Sequence, residues 1–225
     1  MKKLKGKILL DTKHAAMGQY GQSDDIEMLG EFETILDHYE KYAKSIGALM
    51  ISFSGMEDSV DVELATAINE RAYEPGYRII KYLEFRDKIN LWKDHYSAYI
   101  KGILSGKKQL KFLAEMKAIY LKLVELSEFR NKIAHANWSS LDNAGFVRYR
   151  SVENKDISGG MSFEKVKMTP GVIIKFVRQN DAISTKINEF REKFWEAKNM
   201  ESRKNYKAME KRLAKSKNKS LGGTL

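Results

Sequence analysis

The chain has 225 residues, 40 Lys and Arg against 30 Asp and Glu, a formal net charge of +10, and 43% apolar residues. Length and apolar content suffice for a sizeable core, which excludes general disorder. With no cysteine, disulfides, thiolate zinc sites, iron–sulfur clusters and cysteine nucleophiles are excluded as well.

The basic N-terminus, MKKLKGKILLDTK, contains an apolar run of only Ile8 to Leu10, too short for a signal-peptide core. No segment reaches the apolar length of a membrane span. A cytoplasmic protein with no membrane contact is expected. Residues 1–22 hold five Lys against Asp11, a net of +4, with Gly18, Gly21 and no sustained periodicity. They read as a flexible basic segment.

Ser23-Asp24-Asp25 then caps an amphipathic run through Ile26, Leu29, Leu36, Tyr39, Ala43, Ile46 and Leu49, a helix expected to end near Ser54-Gly55. Val60 to Tyr73 predicts a shorter helix stopped by Pro75-Gly76. Tyr77 to Ile103 reads as one or two more.

Lys107 to Trp138 carries the clearest helical periodicity. Its apolar positions, among them Phe112, Met116, Ile119, Leu123 and Leu126, fall on one stripe at 100° per residue. Beyond Trp138 the period becomes two. Phe146–Val152 and Met161–Lys167 alternate about a polar, glycine-rich ENKDISGG, so a β-hairpin over about 146–167 is expected between the last two long helices. Thr169-Pro170 supplies an N-cap and a proline at the first helical position. The helix it opens runs through Ile173, Val177, Ile183, Ile187 and Phe190 to Trp195. The fold class expected is all-α, a helical bundle over 23–195 with one inserted hairpin.

Residues 196–225 form a basic tail, nine Lys and Arg against three Glu, a net of +6. The body between the two basic ends is neutral. Such ends suit nucleic acid or another anionic surface, or serve only solubility.

The chemistry-bearing cluster lies late in the 107–138 helix. On the wheel set by Phe112, Arg130 falls at about 0°, Asn131 at about 100° and His135 at about 140°, in or beside the apolar stripe. Polar groups on a buried face demand partners. A cavity, a ligand or a second subunit would each supply them. The guanidinium offers a fork of donors for phosphate oxygens, and imidazole serves as general acid or base near neutral pH. With Asn131 holding either group in register, the set would support metal-independent phosphoryl transfer in RNA. Such a reaction wants both an acid and a base, and one chain supplies one suitable histidine here. A two-fold dimer would bring two. The structural alternatives are a satisfied arginine and a histidine that favours a helix C-terminus.

The string Leu126 to Trp138, LSEFRNKIAHANW, resembles the signature of the HEPN superfamily, the higher-eukaryote-and-prokaryote nucleotide-binding domain. Arg130, Asn131 and His135 match its arginine, polar residue and histidine in order. The following hairpin and closing helix are similar to some bacterial members. The resemblance implies a homodimer with a composite catalytic site, no cofactor, and metal-independent RNA cleavage. It also implies a role as a toxin or abortive phage-defence effector, with a possible cognate antitoxin. Some relatives keep the fold without activity, so a non-catalytic nucleotide-, RNA- or protein-binding module is the alternative.

Other groups read as structural. Glu115-Met116-Lys117 has metal-nuclease spacing but sits mid-helix. Asp58, Asp61 and Glu63 are expected to open a helix, where the dipole favours acids. His14, His38 and His95 have no partner at ligand spacing. Ser158-Gly159-Gly160 is a hairpin tip without the Lys-Ser/Thr of a phosphate loop. Arg148 and Arg150 are expected on one hairpin face, with Tyr149 on the other, as weak candidate RNA contacts.

Overall fold

The periodicities become five helices and a small sheet in the computed structural model, which describes residues 12–16, 32–69, 73–142, 144–154 and 160–221. In chain order these are β1 (Thr12–Ala16), α1 (Phe32–Ile68), α2 (Tyr73–Ile80), α3 (Phe85–Ile103), α4 (Gly106–His135), a 3₁₀ turn (Trp138–Ser140), β2 (Phe146–Asn154), β3 (Gly160–Lys167) and α5 (Pro170–Leu221). The class is all-α, and the β2–β3 hairpin stands between the last two long helices as expected.

Three expectations are corrected. Helix α1 does not stop at Ser54-Gly55 but runs on to Ile68. Phe53, Met56, Val60 and Leu64 are buried in register along it, and that burial outweighs the roughly 1 kcal/mol an internal glycine costs. Pro75 does not end a helix but lies in the first turn of α2, where its missing N–H has no intrahelical acceptor to lose. Residues 12–16, expected within a flexible segment, form a strand instead. β1 pairs antiparallel with β3, giving the order β1-β3-β2. Helix α5 runs on past Trp195 through the basic tail to Leu221, in line with a helical reading that extends as far as Leu213.

The chain packs as two compact units. The first takes residues 1–55 and 125–181 and contains the sheet. Leu49, Phe53, Leu126, Phe129, Ile133, Phe146, Val147, Val166, Ile173 and Phe176 are buried in it. Phe129 and Phe176 stack with centroids 3.4 Å apart. Thr169 caps α5 as the sequence predicts, its Oγ1 accepting from the Val172 N–H at 3.4 Å. A tight turn precedes β2. Asp142 Oδ1 accepts from the N–H groups of Ala144 and Phe146, and Gly145 takes φ +81°, a conformation glycine adopts without strain.

The second unit takes residues 56–124 and 182–225. Trp92, Tyr96, Phe112, Phe190 and Phe194 form an aromatic cluster with edge-on and tilted contacts of 5.0–5.9 Å. Here α2 closes onto α1, for a Cβ added at Gly76 would stand 2.3 Å from the Ala65 carbonyl oxygen.

Candidate active site at the end of helix α4

Helix α4 buries Phe112, Met116, Ile119, Leu123, Leu126, Phe129 and Ile133. Spacings of three and four average 3.5 residues, and a 3.5-residue repeat slips by about 20° per heptad on a 3.6-residue helix. By Ile133 the buried stripe has rotated by about 60°. This drift corrects the sequence expectation that three polar groups project from a buried face. Arg130 is half-buried at the margin of the stripe, while Asn131 and His135 are exposed. Asn131 and His135 remain neighbours one turn apart on the solvent side.

The end of α4 is pinned rather than frayed. Trp138 Nε1 donates to the Ile133 carbonyl at 2.9 Å, satisfying one of the last helix acceptors, and its ring meets Tyr42 at 5.8 Å. The Asn137 N–H donates to the Arg148 carbonyl at 2.8 Å, and the Arg148 N–H donates back to Ser140 Oγ at 2.8 Å. Strand β2 therefore fixes where His135 sits.

Arg130 is held by neighbours on both sides. Its guanidinium carbon lies 5.5 Å from the Phe53 ring centroid, and Nη1 donates to Asn131 Oδ1 at 3.1 Å. Its Nε is buried and has no hydrogen-bond partner. Among the described residues no carboxylate pairs with this arginine. With Nε buried, only the Nη end of the fork, uncommitted to any carboxylate among the described residues, could meet an anion. Phe53 carried no sequence signal for this role, being one apolar residue among many on α1.

The hairpin arginines do not share a face. Arg148 pairs with Lys165 but Arg150 pairs with Glu164, so Tyr149 is the extra residue of a β-bulge. Because Lys165 and Glu164 alternate across β3, Arg148 and Arg150 point to opposite sides of the sheet. The Arg-Tyr-Arg alternation conceals this, since nothing in it marks an inserted residue. Arg150 Nε donates to Glu164 Oε2 at 2.5 Å. Together with Glu128, Asn131, Lys132 and Tyr149 this pair lines an open concavity of about 260 Å³. Glu128, Lys132 and Glu164 are the lining residues that sequence reasoning passed over, and Tyr149 enters it only as the residue facing away from the arginines.

The groups set aside lie elsewhere. Glu115 pairs with Lys193 at 3.4 Å. Asp58, Asp61 and Glu63 do not open a helix, since α1 passes straight through them. The latter two are held by other helices. Lys88, buried, bridges Glu57 at 2.9 Å and Asp61 at 2.8 Å. Glu63, also buried, accepts from Tyr96 Oη and from Arg191 Nη1, each at 2.7 Å. Burial raises both Asp61 and Glu63 above the ordinary carboxyl range, against the downward pull of these donors. Burial alone would lower Lys88, but Asp61 and Glu57 outweigh it and the net shift is upward. His95 packs against the rings of Tyr99 and Tyr96. The side chains of His14 and His38, and the Ser158-Gly159 tip, lie outside the described residues. Among the described residues, no group of three or more His, Asp or Glu is arranged to hold a metal ion, and no helix is long and apolar enough to cross a membrane.

No protein-family model matches the chain, and no curated protein or solved structure is similar to it.

Proposed function

We propose that this protein is a metal-independent endoribonuclease of HEPN type, acting in the cytoplasm as a toxin or phage-defence effector from a composite site in a homodimer. The observation that carries the proposal is Arg130, braced on Phe53 and Asn131 with no carboxylate partner among the described residues, with an exposed His135 five residues further along the same helix end. In this reading Arg130 clamps the scissile phosphate and stabilises charge in the transition state. Asn131 orients the guanidinium. His135 takes the proton from the 2′-hydroxyl as it attacks phosphorus, and an imidazole from a second copy gives a proton to the departing 5′-oxygen. The P–O5′ bond breaks and a 2′,3′-cyclic phosphate forms. The exposed stretch of α5 over 199–212, with five Lys and Arg against two Glu, gathers RNA by charge. A cognate antitoxin would act by covering this site.

The second reading is a non-catalytic RNA- or protein-binding module. It is favoured by one observation, that a single chain presents one imidazole at the site and so half of an acid–base pair.

Wild-type, Arg130→Ala and His135→Ala proteins incubated with labelled total RNA in EDTA, with light scattering on a sizing column, separate the two. Cleavage by a wild-type dimer, products with cyclic phosphate ends, resistance of a 2′-deoxy substrate and a loss of about 10²–10⁴-fold or more in His135→Ala support the enzyme. Undiminished cutting by His135→Ala sinks the assignment, and a folded wild-type dimer that binds but never cuts RNA supports the module.

A further inference from the structure

The concavity between α4 and the hairpin has a composition that the catalytic reading leaves unused. Its volume of about 260 Å³ is just below the range of about 300–1,000 Å³ typical of small-molecule pockets, room for a single nucleoside. Tyr149 lines it, set by the bulge that leaves it without a strand partner. The Lys132 and Arg150 cations each stand 5.8 Å from the Tyr149 ring centroid. Both lie over the ring within cation–π range, so a base stacking on Tyr149 takes the place of one of them. Charges at the rim cancel, Lys132 and Arg150 against Glu128 and Glu164. That balance disfavours a bare phosphate and suits a neutral ring flanked by phosphates. Glu164 is committed to Arg150, whereas Glu128 is exposed and has no ion-pair partner among the described residues. Its carboxylate offers two acceptor oxygens side by side. Asn131 belongs both to this wall and to the Arg130 hydrogen bond, which places the concavity next to the proposed scissile phosphate.

We infer that this concavity is a nucleobase subsite, in which Tyr149 stacks the base beside the scissile phosphate, Lys132 and Arg150 hold its flanking phosphates, and Glu128 selects guanine. Aromatic stacking binds any base. Selection comes from the edge, and guanine alone among the four bases presents an N1–H and an amino group together for one carboxylate. The inference rests on the RNA reading above, and its test is chosen to fail separately from it.

The test uses the His135→Ala full-length protein, expected on that reading to bind without cutting, and 5′-fluorescein hexamers of oligoadenylate carrying G, C, U or A at one internal position. Fluorescence anisotropy gives each dissociation constant. The G-containing hexamer should bind about tenfold more tightly than the others. Adding Tyr149→Ala should weaken all four by about 5- to 100-fold, while Tyr149→Phe, which keeps the ring, should hold within about twofold. Adding Glu128→Ala, at an exposed position, should abolish the G preference, bringing the four affinities together. Equal affinities before and after Tyr149→Ala, or a G preference that survives Glu128→Ala, overturns the subsite and leaves the nuclease standing. No binding to any hexamer removes the RNA reading and the subsite with it.

Discussion

Glu63 illustrates how single residues here answer to partners far away in sequence. Its carboxyl is buried against Tyr96 and Arg191 and is raised above its ordinary value of 4.5, chiefly by burial. A carboxyl whose folded value exceeds its unfolded one binds protons more readily when folded. It therefore adds stability as the pH falls from neutrality toward the region just above 4.5. Urea unfolding at pH 7 and pH 5 should show that Glu63→Gln flattens this gain, and a variant whose deficit is independent of pH would contradict it. Phe129 is a simpler case. Stacked on Phe176 and buried, it should cost about 3–5 kcal/mol when replaced by Ala, read as a drop in urea midpoint. His135→Ala in the same assay should change stability by less than about 0.5 kcal/mol, as expected of an exposed side chain. The sequence showed that Arg130, Asn131 and His135 belong to one helix end. It did not show which of them is exposed, because a drift of about 20° per heptad is invisible until the buried partners are known.

At the scale of elements, two glycines mark where chain segments are forced together. A side chain at Gly76 would meet the Ala65 backbone at 2.3 Å, and neither backbone can yield without parting α1 from α2. Gly76→Ala should lower stability by about 1–3 kcal/mol, and an unchanged melting temperature would mean that this close approach is absent in solution. Gly145 has φ +81° with Thr169 Cγ2 3.0 Å and Tyr42 Oη 3.1 Å from a would-be Cβ. Gly145→Ala should cost at least about 1–2 kcal/mol, since it strains the turn into β2. Helix existence, the Thr169 cap and the hairpin limits were legible because each depends on local periodicity and local hydrogen bonds. The continuation of α1 through Gly55 was not, because buried neighbours on other elements overrule a local breaker. The bulge at Tyr149 was not either, because it is defined by the register of β3.

For the whole molecule, the sharpest expectation concerns the C-terminal length of α5. Every residue over 199–212 except the half-buried Glu201 is exposed, including Tyr206 at 60% and Met209 at 53%. Deleting residues 199–225 should leave the melting temperature within about 2 °C of the full chain. The same deletion should reduce the dependence of RNA affinity on salt, since each lost phosphate contact removes about 0.7 from the log–log slope for single strands. Fluorescence titrations from 50 to 200 mM salt would measure it, and an unchanged slope would contradict the role proposed for this stretch of α5.

Composition and periodicity alone established that the chain is helical, that it carries one hairpin late in its length, that its charge excess lies at its ends, and that Arg130, Asn131 and His135 gather at one helix end. These follow from spacing within single segments, which is a property of the amino-acid order. Pairing between distant segments settled the rest. It added β1 to the sheet, put Arg148 and Arg150 on opposite faces, set Phe53 beneath Arg130, and assembled the Tyr149 concavity from a helix and a bulged strand. Each of those depends on which surfaces meet and in what register, and a linear pattern with periods of 2 and 3.6 contains neither.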